Sequence, residues 1–169
     1  MNYKLLPSIF TFLNLSFGML SILFTLTNNT KLAALMIIIS AFVDRYDGKI
    51  ARKFDAVTLF GKELDSLSDL ISFGAAPAIL CWSLFLSNFG IIGYIITILF
   101  PIAGAYRLAR FNVTQFNNVY MGVPITVAGG IIALDCLLNI FILEHNLIST
   151  ILMLILSFLM VSKVKIQKR

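Results

Sequence analysis

Four aspartates stand in two pairs within an otherwise apolar chain: Asp44 and Asp47 are three residues apart, and Asp65 and Asp69 four apart. On helices, each spacing puts both carboxylates of a pair on one face. The pairs lie symmetrically about residue 56, so antiparallel helices turning there would bring all four acids to one depth, at roughly 1.5 Å per residue. Converging carboxylates repel one another and are expensive near hydrocarbon even singly. A positive partner therefore belongs among them. Hard oxygen ligands with no Cys or His nearby suit Mg²⁺ or Mn²⁺, with Ca²⁺ also able to occupy the site, and do not suit Zn²⁺. Two divalent ions balance four formal charges, and a metal pair is the usual device for in-line displacement at phosphorus. The spacing thus points to phosphoryl or phosphatidyl transfer.

The residues between the pairs fit that chemistry. Gly48 and Ala51 open a slot in which a flat ring or a phosphate can approach the backbone, although small residues also serve close helix packing. Arg52, Lys49 and Lys62 are placed to meet substrate phosphates; they equally suit anchoring at a cytoplasmic membrane surface.

The elements that must hold these residues are helices. A chain of 169 residues that is 59% hydrophobic and 12% charged, with a mean hydropathy of +0.95, is too apolar for a soluble domain, whose apolar share is about 45–50%. It reads as an all-α integral membrane protein. A spanning helix takes about 20 mainly apolar residues, and six such stretches fit at 7–26, 32–53, 60–86, 90–110, 122–142 and 147–165. They make one bundle of six transmembrane helices, a single domain over 1–169. Alternating sides collects Lys4, Arg45, Lys49, Arg52, Lys53, Lys62, Arg107, Arg110, Lys163, Lys165, Lys168 and Arg169 together and leaves Lys31 opposite. By the positive-inside rule both termini and the aspartate stretch are cytoplasmic. The net charge of +5 is then explained by topology and attraction to anionic lipid, which leaves no ground for a nucleic-acid partner.

Smaller signals complete the reading. Pro77 and Pro101 fall inside predicted spans and place kinks near Phe73 and Thr97. Cys81 and Cys136 lie in apolar runs, without disulfide or metal spacing, and read as buried small hydrophobes. Asp135 stands alone in the fifth span, as a functional carboxylate or as a structural hydrogen-bond partner between helices. The polar joint from Phe111 to Met121 reads equally as a substrate entrance or a solvated loop.

The order D-x2-D-G-x2-A-R-x8-G-x3-D-x3-D, filled by Asp44, Asp47, Gly48, Ala51, Arg52, Gly61, Asp65 and Asp69, resembles the signature of the CDP-alcohol phosphotransferases. The resemblance implies a six-helix membrane fold, usually a homodimer, in which a CDP-linked donor gives up CMP to a hydroxyl acceptor with two divalent metals bound. It implies Asp44, Asp47 and Asp65 as metal ligands, and Asp69 as the general base and a further ligand. Gly48, Arg52 and Thr58 match positions that contact the cytidine diphosphate, with Ala51, Gly61, Lys49 and Lys62 beside them. The family's P-N-x-x-T stretch reads Pro7-Ser8-Ile9-Phe10-Thr11 here. Ser8 replaces its Asn, and Asn14, one turn beyond Thr11, is a substitute.

The segments L-D-S-L-S-D-L-I-S-F-G-A-A-P at 64–77, R-L-A-R-F-N at 107–112 and G-V-P at 122–124 are similar to the phosphatidylserine synthase branch of that family. This implies L-serine as acceptor and CDP-diacylglycerol, or an ether-lipid equivalent, as donor, at the cytoplasmic face of the cell membrane. Arg107 and Arg110 offer guanidinium forks for the serine carboxylate, with Ser72, Gly74 and Asn112 as further candidates for the serine pocket. Two rivals stand beside this reading. One is the same transfer to glycerol 3-phosphate or inositol phosphate; the other is a small cation transporter, since intramembrane carboxylates also mark ion pathways.

Overall fold

The computed structural model describes the backbone of residues 6–53, 58–113, 119–141, 146–162 and 165–167, and the side chains of 9–46, 58–113, 122–141 and 146–162. Helix α1 (Leu6–Leu26) ends at Asn28, whose positive φ of 59° turns the chain. There the Asn28 N–H donates to the Thr25 carbonyl at 3.0 Å and the Asn29 N–H to that of Phe24 at 2.8 Å. Asn is the common substitute for Gly at such a left-handed helix end. The chain returns as α2 (Thr30–Lys53), packed along α1. Small residues are buried on both helices, Ser21 and Thr25 on α1 and Ala33 and Ala34 on α2, which lets backbones approach closely.

Helix α3 (Leu59–Leu84) is the centre of the bundle and touches α1, α2, α4 and α5. Its first turn is capped by Thr58, extended at φ −119° and ψ 155°, whose Oγ1 accepts from the Gly61 N–H at 3.0 Å. Straight after Asp69 the helix widens: Leu70–Ala75 form a π-turn, with the Ala76 N–H donating to Ile71, five residues back. Pro77 lacks an N–H, and its ring crowds the carbonyl four residues upstream. The kink expected near Phe73 is thus taken up as a widened turn, a feature often found at functional sites.

A 3-10 turn (Leu86–Phe89) leads into α4 (Ile91–Val113), which runs on through Pro101. Helices α5 (Ile125–Phe141) and α6 (Asn146–Val161) follow. Two three-residue strands depart from the all-helical expectation: β1 (Val119–Met121) pairs antiparallel with β2 (Lys165–Gln167), Tyr120 opposite Ile166. The sixth predicted span therefore ran too far, since α6 stops at Val161. Its end is held from outside: the Val123 N–H donates to the Leu159 carbonyl at 3.3 Å, and Gly122, at φ 75°, lies where a Cβ would sit 3.1 Å from that same oxygen.

Among the described residues, three helices are long and apolar enough to cross a membrane, within Ile9–Leu26, Leu59–Leu84 and Ile91–Val113. Helices α5 and α6 are apolar but shorter. The outer surface is apolar as well, with Ile91 77% and Phe158 74% exposed. An apolar exterior of this kind requires lipid as solvent, so the protein is an integral membrane protein. Phe73, Phe85, Phe100, Ile132, Met153 and Met160 are fully buried in the core.

The widened turn is gripped from two sides. A Cβ on Gly18 of α1 would lie 2.7 Å from the Cα of Ser72, and one on Gly129 of α5 would lie 2.7 Å from the Cβ and 2.8 Å from the Cα of Phe73. Backbone cannot swing aside as a side-chain tip can. Gly129→Ala should therefore destabilise the protein by about 1–3 kcal/mol through overpacking, read as a lower thermal midpoint in detergent. Gly130→Ala, with nothing among the described residues within 4 Å of its would-be Cβ, should leave the midpoint unchanged or raise it slightly, since Ala favours a helix interior over Gly by about 0.5–1 kcal/mol; equal midpoints for both variants would contradict the close contact.

Candidate active site

Asp44 comes from α2, and Asp65 and Asp69 from α3 one turn apart, the last just before the π-turn. One carboxylate oxygen from each lies within 4.8 Å of the others. Asp69 is the deepest, 8% exposed, while Asp44 and Asp65 are half-buried. Oxygen ligands sharing one Mg²⁺ or Ca²⁺ at about 2.0–2.6 Å lie at most about 4–5 Å apart. The spacing and the all-oxygen donor set therefore fit a hard divalent cation. The antiparallel arrangement inferred from pairs symmetric about residue 56 brings these three acids together, although the turn itself lies outside the described residues.

The floor of the site is polar and closed. Asn14 on α1, 1% exposed, donates from Nδ2 to Asp69 Oδ1 at 3.1 Å. Its carbonyl oxygen accepts from the Ser72 hydroxyl at 3.0 Å, and one turn before it the Thr11 carbonyl accepts from Ser68 at 3.0 Å. These bonds tie α1 to the turns of α3 on both sides of Asp69. Ser40 of α2, fully buried, donates to Asn14 Oδ1. Arg107 of α4, 8% exposed, lies close enough for its charge to act on Asp69.

The other predicted site residues divide into groups. Asp47, Gly48, Lys49, Ala51 and Arg52 lie on the backbone of α2 and Ser8 on that of α1, with side chains outside the described residues. Thr58 and Gly61 are joined to each other as the cap of α3. Lys62 sits over the Phe111 ring, 5.3 Å from its centroid. Asn112 donates to Glu63 Oε1 at 3.2 Å and to Ser66 Oγ at 3.1 Å, fastening α4 to the start of α3. Arg110 donates to the Val161 and Ser162 carbonyls at 3.0 and 3.1 Å, holding the end of α6. Gly74 is buried beside Leu70, Ile125 and Pro101.

Asp135 is not alone: Asn139, one turn on, donates to its carbonyl at 3.1 Å and its Oδ2 at 3.4 Å, and reaches Ser149 of α6 at 2.7 Å. Cys81 and Cys136 are free, buried thiols whose sulfurs lie 3.4 Å apart. Ser40 was missed by the sequence reading. Its signal was a lone hydroxyl in an apolar run, one turn before Asp44.

An apolar cleft of about 500 Å³ opens between α3 and α4, lined by Leu70, the residue after Asp69, and by Ile71, Ala75, Pro101, Ile102 and Ala105 among others. The cleft thus begins along the chain where the acid cluster ends, and an acid cluster and an apolar cleft on one helix suit a substrate with a charged head and an apolar tail.

Comparison with known proteins gives the same direction. A CDP-diacylglycerol–serine O-phosphatidyltransferase of Bacillus subtilis is 37% identical over 166 residues, covering 98% of this chain and 90% of the relative. One of Methanocaldococcus jannaschii, with the same name, is 39% identical over 158 residues, 94% of this chain and 71% of the relative. An archaetidylserine synthase of Methanothermobacter thermautotrophicus is 36% identical over 163 residues, 95% of this chain and 68% of the relative. The family model for CDP-alcohol phosphatidyltransferase matches residues 4–162, a span that contains every carboxylate of the cluster, and on that match the chain belongs to the CDP-alcohol phosphatidyltransferase family.

Proposed function

We propose that this enzyme transfers a phosphatidyl group, or its ether-lipid equivalent, from a CDP-linked lipid to the hydroxyl of L-serine and releases CMP. The observation that carries the reading is the meeting of Asp44, Asp65 and Asp69 in a chain of this family. The choice of serine is supported by relatives that are named for serine transfer across bacteria and archaea.

In this reading the serine oxygen forms a bond to the lipid-bearing phosphorus while the bond from that phosphorus to the CMP oxygen breaks. Asp69 takes the hydroxyl proton. Its depth shields it from bulk water, and the Asn14 amide keeps one of its oxygens in place, so the remaining oxygen is the one presented to the acceptor. Divalent cations held by Asp44, Asp65 and Asp69, with Asp47 as a further ligand, would neutralise the diphosphate and the departing CMP. Arg107 offers the fork for the serine carboxylate; Arg110, committed in part to the end of α6, we assign to holding that wall of the site. Gly48, Ala51, Arg52, Lys49 and Lys62 take the cytidine diphosphate. One acyl chain lies in the cleft beside Leu70, where close packing takes the place of its contacts with bilayer lipid.

All six helices cross, the termini and the acid cluster face the cytoplasm, and the enzyme works as a homodimer. Clustered basic residues near the acids fit that orientation, and it places the water-soluble partners, serine and CMP, on the side where they are made and used.

Release of CMP from CDP-diacylglycerol should require serine and fail with glycerol 3-phosphate or inositol phosphate. Equal release with a phosphorylated acceptor would move the enzyme to another branch of the family. Chelation with EDTA should abolish release, and Mg²⁺ or Mn²⁺ should restore it. Asp69→Asn should lower kcat by about 10²–10⁴-fold, the usual worth of a positioned base, while CDP-lipid binding measured at equilibrium persists. Near-normal turnover in that variant would exclude Asp69 as the base.

A further inference from the structure

The bonds around Asn14 have a direction. An ionised carboxylate only accepts hydrogen bonds, so the amide end that meets Asp69 Oδ1 is the donor Nδ2, at 3.1 Å. That turns Asn14 Oδ1 away from Asp69 and onto Ser40 of α2, whose hydroxyl donates to it. The Asn14 backbone is held at the same point, with its carbonyl oxygen 3.0 Å from the Ser72 hydroxyl and 3.1 Å from Ser40 Oγ. Ser40 is 0% and Asn14 1% exposed, so water has no access to replace the serine hydroxyl. Without it, Oδ1 becomes a buried acceptor lacking a donor, an arrangement proteins avoid. The amide would then lose one of the two side-chain bonds that fix its orientation, and Nδ2 would be held on the Asp69 carboxylate by that single contact.

Ser40 also stands four residues before Asp44 on α2, so hydroxyl and carboxylate share a helix face. A single helix thus supplies one acid of the cluster and, a turn away, the group that orients the partner of another.

We infer that Ser40 is a positioning residue for the reaction: its hydroxyl sets the orientation of the Asn14 amide, and the amide in turn holds Asp69 toward the acceptor. This assigns Asn14, expected from the sequence to touch the nucleotide, to the support of Asp69. The inference rests on the role of Asp69 proposed above.

The test is a double-mutant cycle on kcat with CDP-diacylglycerol and serine in detergent micelles. Ser40→Ala and Asn14→Ala should each lower kcat about tenfold or more, as expected for displacement of a reacting group, with KM for serine held within about twofold. The double variant should be no slower than the slower single variant, since both changes cut the same chain of bonds. Ser40→Thr, which keeps the hydroxyl, should recover most of the rate. Ser21→Ala is the control: Ser21 is a buried hydroxyl on α1 without a hydrogen-bond partner among the described residues, and its loss should not change kcat. Losses that multiply in the double variant, or a Ser40→Ala enzyme with normal kcat, overturn the inference. If Ser40→Ala does not fold, as judged by its thermal midpoint, Ser40→Cys keeps the volume with a weaker donor; full activity there overturns the inference too. The Asp69→Asn measurement reports separately on the base, so failure of the base assignment and failure of the Ser40–Asn14 coupling are told apart.

Discussion

Carboxylates held together at the edge of an apolar interior are the constraint on which this structure turns. A charged acid near hydrocarbon is costly, and a second and third beside it add repulsion. The fold answers with positive and polar partners from several helices. Helix α1 sends the Asn14 amide, α2 the Ser40 hydroxyl and α4 the Arg107 guanidinium. Helix α3 supplies two of the acids and widens its turn directly after the deeper one. The donor set left facing outward is all oxygen, which suits hard divalent ions.

Holding such groups in register is harder in lipid than in water. Between apolar helices in an apolar solvent the hydrophobic effect supplies little attraction, so close packing and hydrogen bonds must position them. Both concentrate at the π-turn of α3. Gly18 and Gly129 admit its backbone from two sides, and Ser68 and Ser72 bond to α1 carbonyls on either side of Asp69. The same device recurs at the basic end of the bundle, where Arg110 grips the last carbonyls of α6 and Asn112 bridges to Glu63 and Ser66. Polar residues that read as substrate contacts along the chain thus double as fasteners between helices.

Legibility in the sequence followed the range of the interactions. Helix existence was plain, because apolar runs of spanning length admit few alternatives, and spans such as 60–86 and 90–110 differ only slightly at their ends from Leu59–Leu84 and Ile91–Val113. The end of α6 was misplaced because apolar Val164 and Ile166 continue the pattern past Val161, and nothing local announces a strand partner more than 40 residues away at Val119–Met121. The partner of Asp135 lay four residues on at Asn139, a helical neighbour that the reading of a lone carboxylate passed over. Pro77 announced a disturbance near Phe73 but left its form open, since a missing N–H is met equally by a kink or by a widened turn.

The sequence by itself determined the chemistry on offer: acids at helical spacing in an apolar chain, hence hard oxygen ligands at the membrane edge, with basic residues gathered around them. It determined this because residue type and helical period act over a few residues and do not depend on the remainder of the fold. Only the tertiary structure decided that Asp44, Asp65 and Asp69 meet, that Asn14 turns to Asp69 through Ser40, and that Thr58, Arg110 and Asn112 are engaged in holding helices. Those outcomes depend on which faces of separate helices come together, and that choice is made by glycine contacts and single hydrogen bonds between residues as much as 58 positions apart.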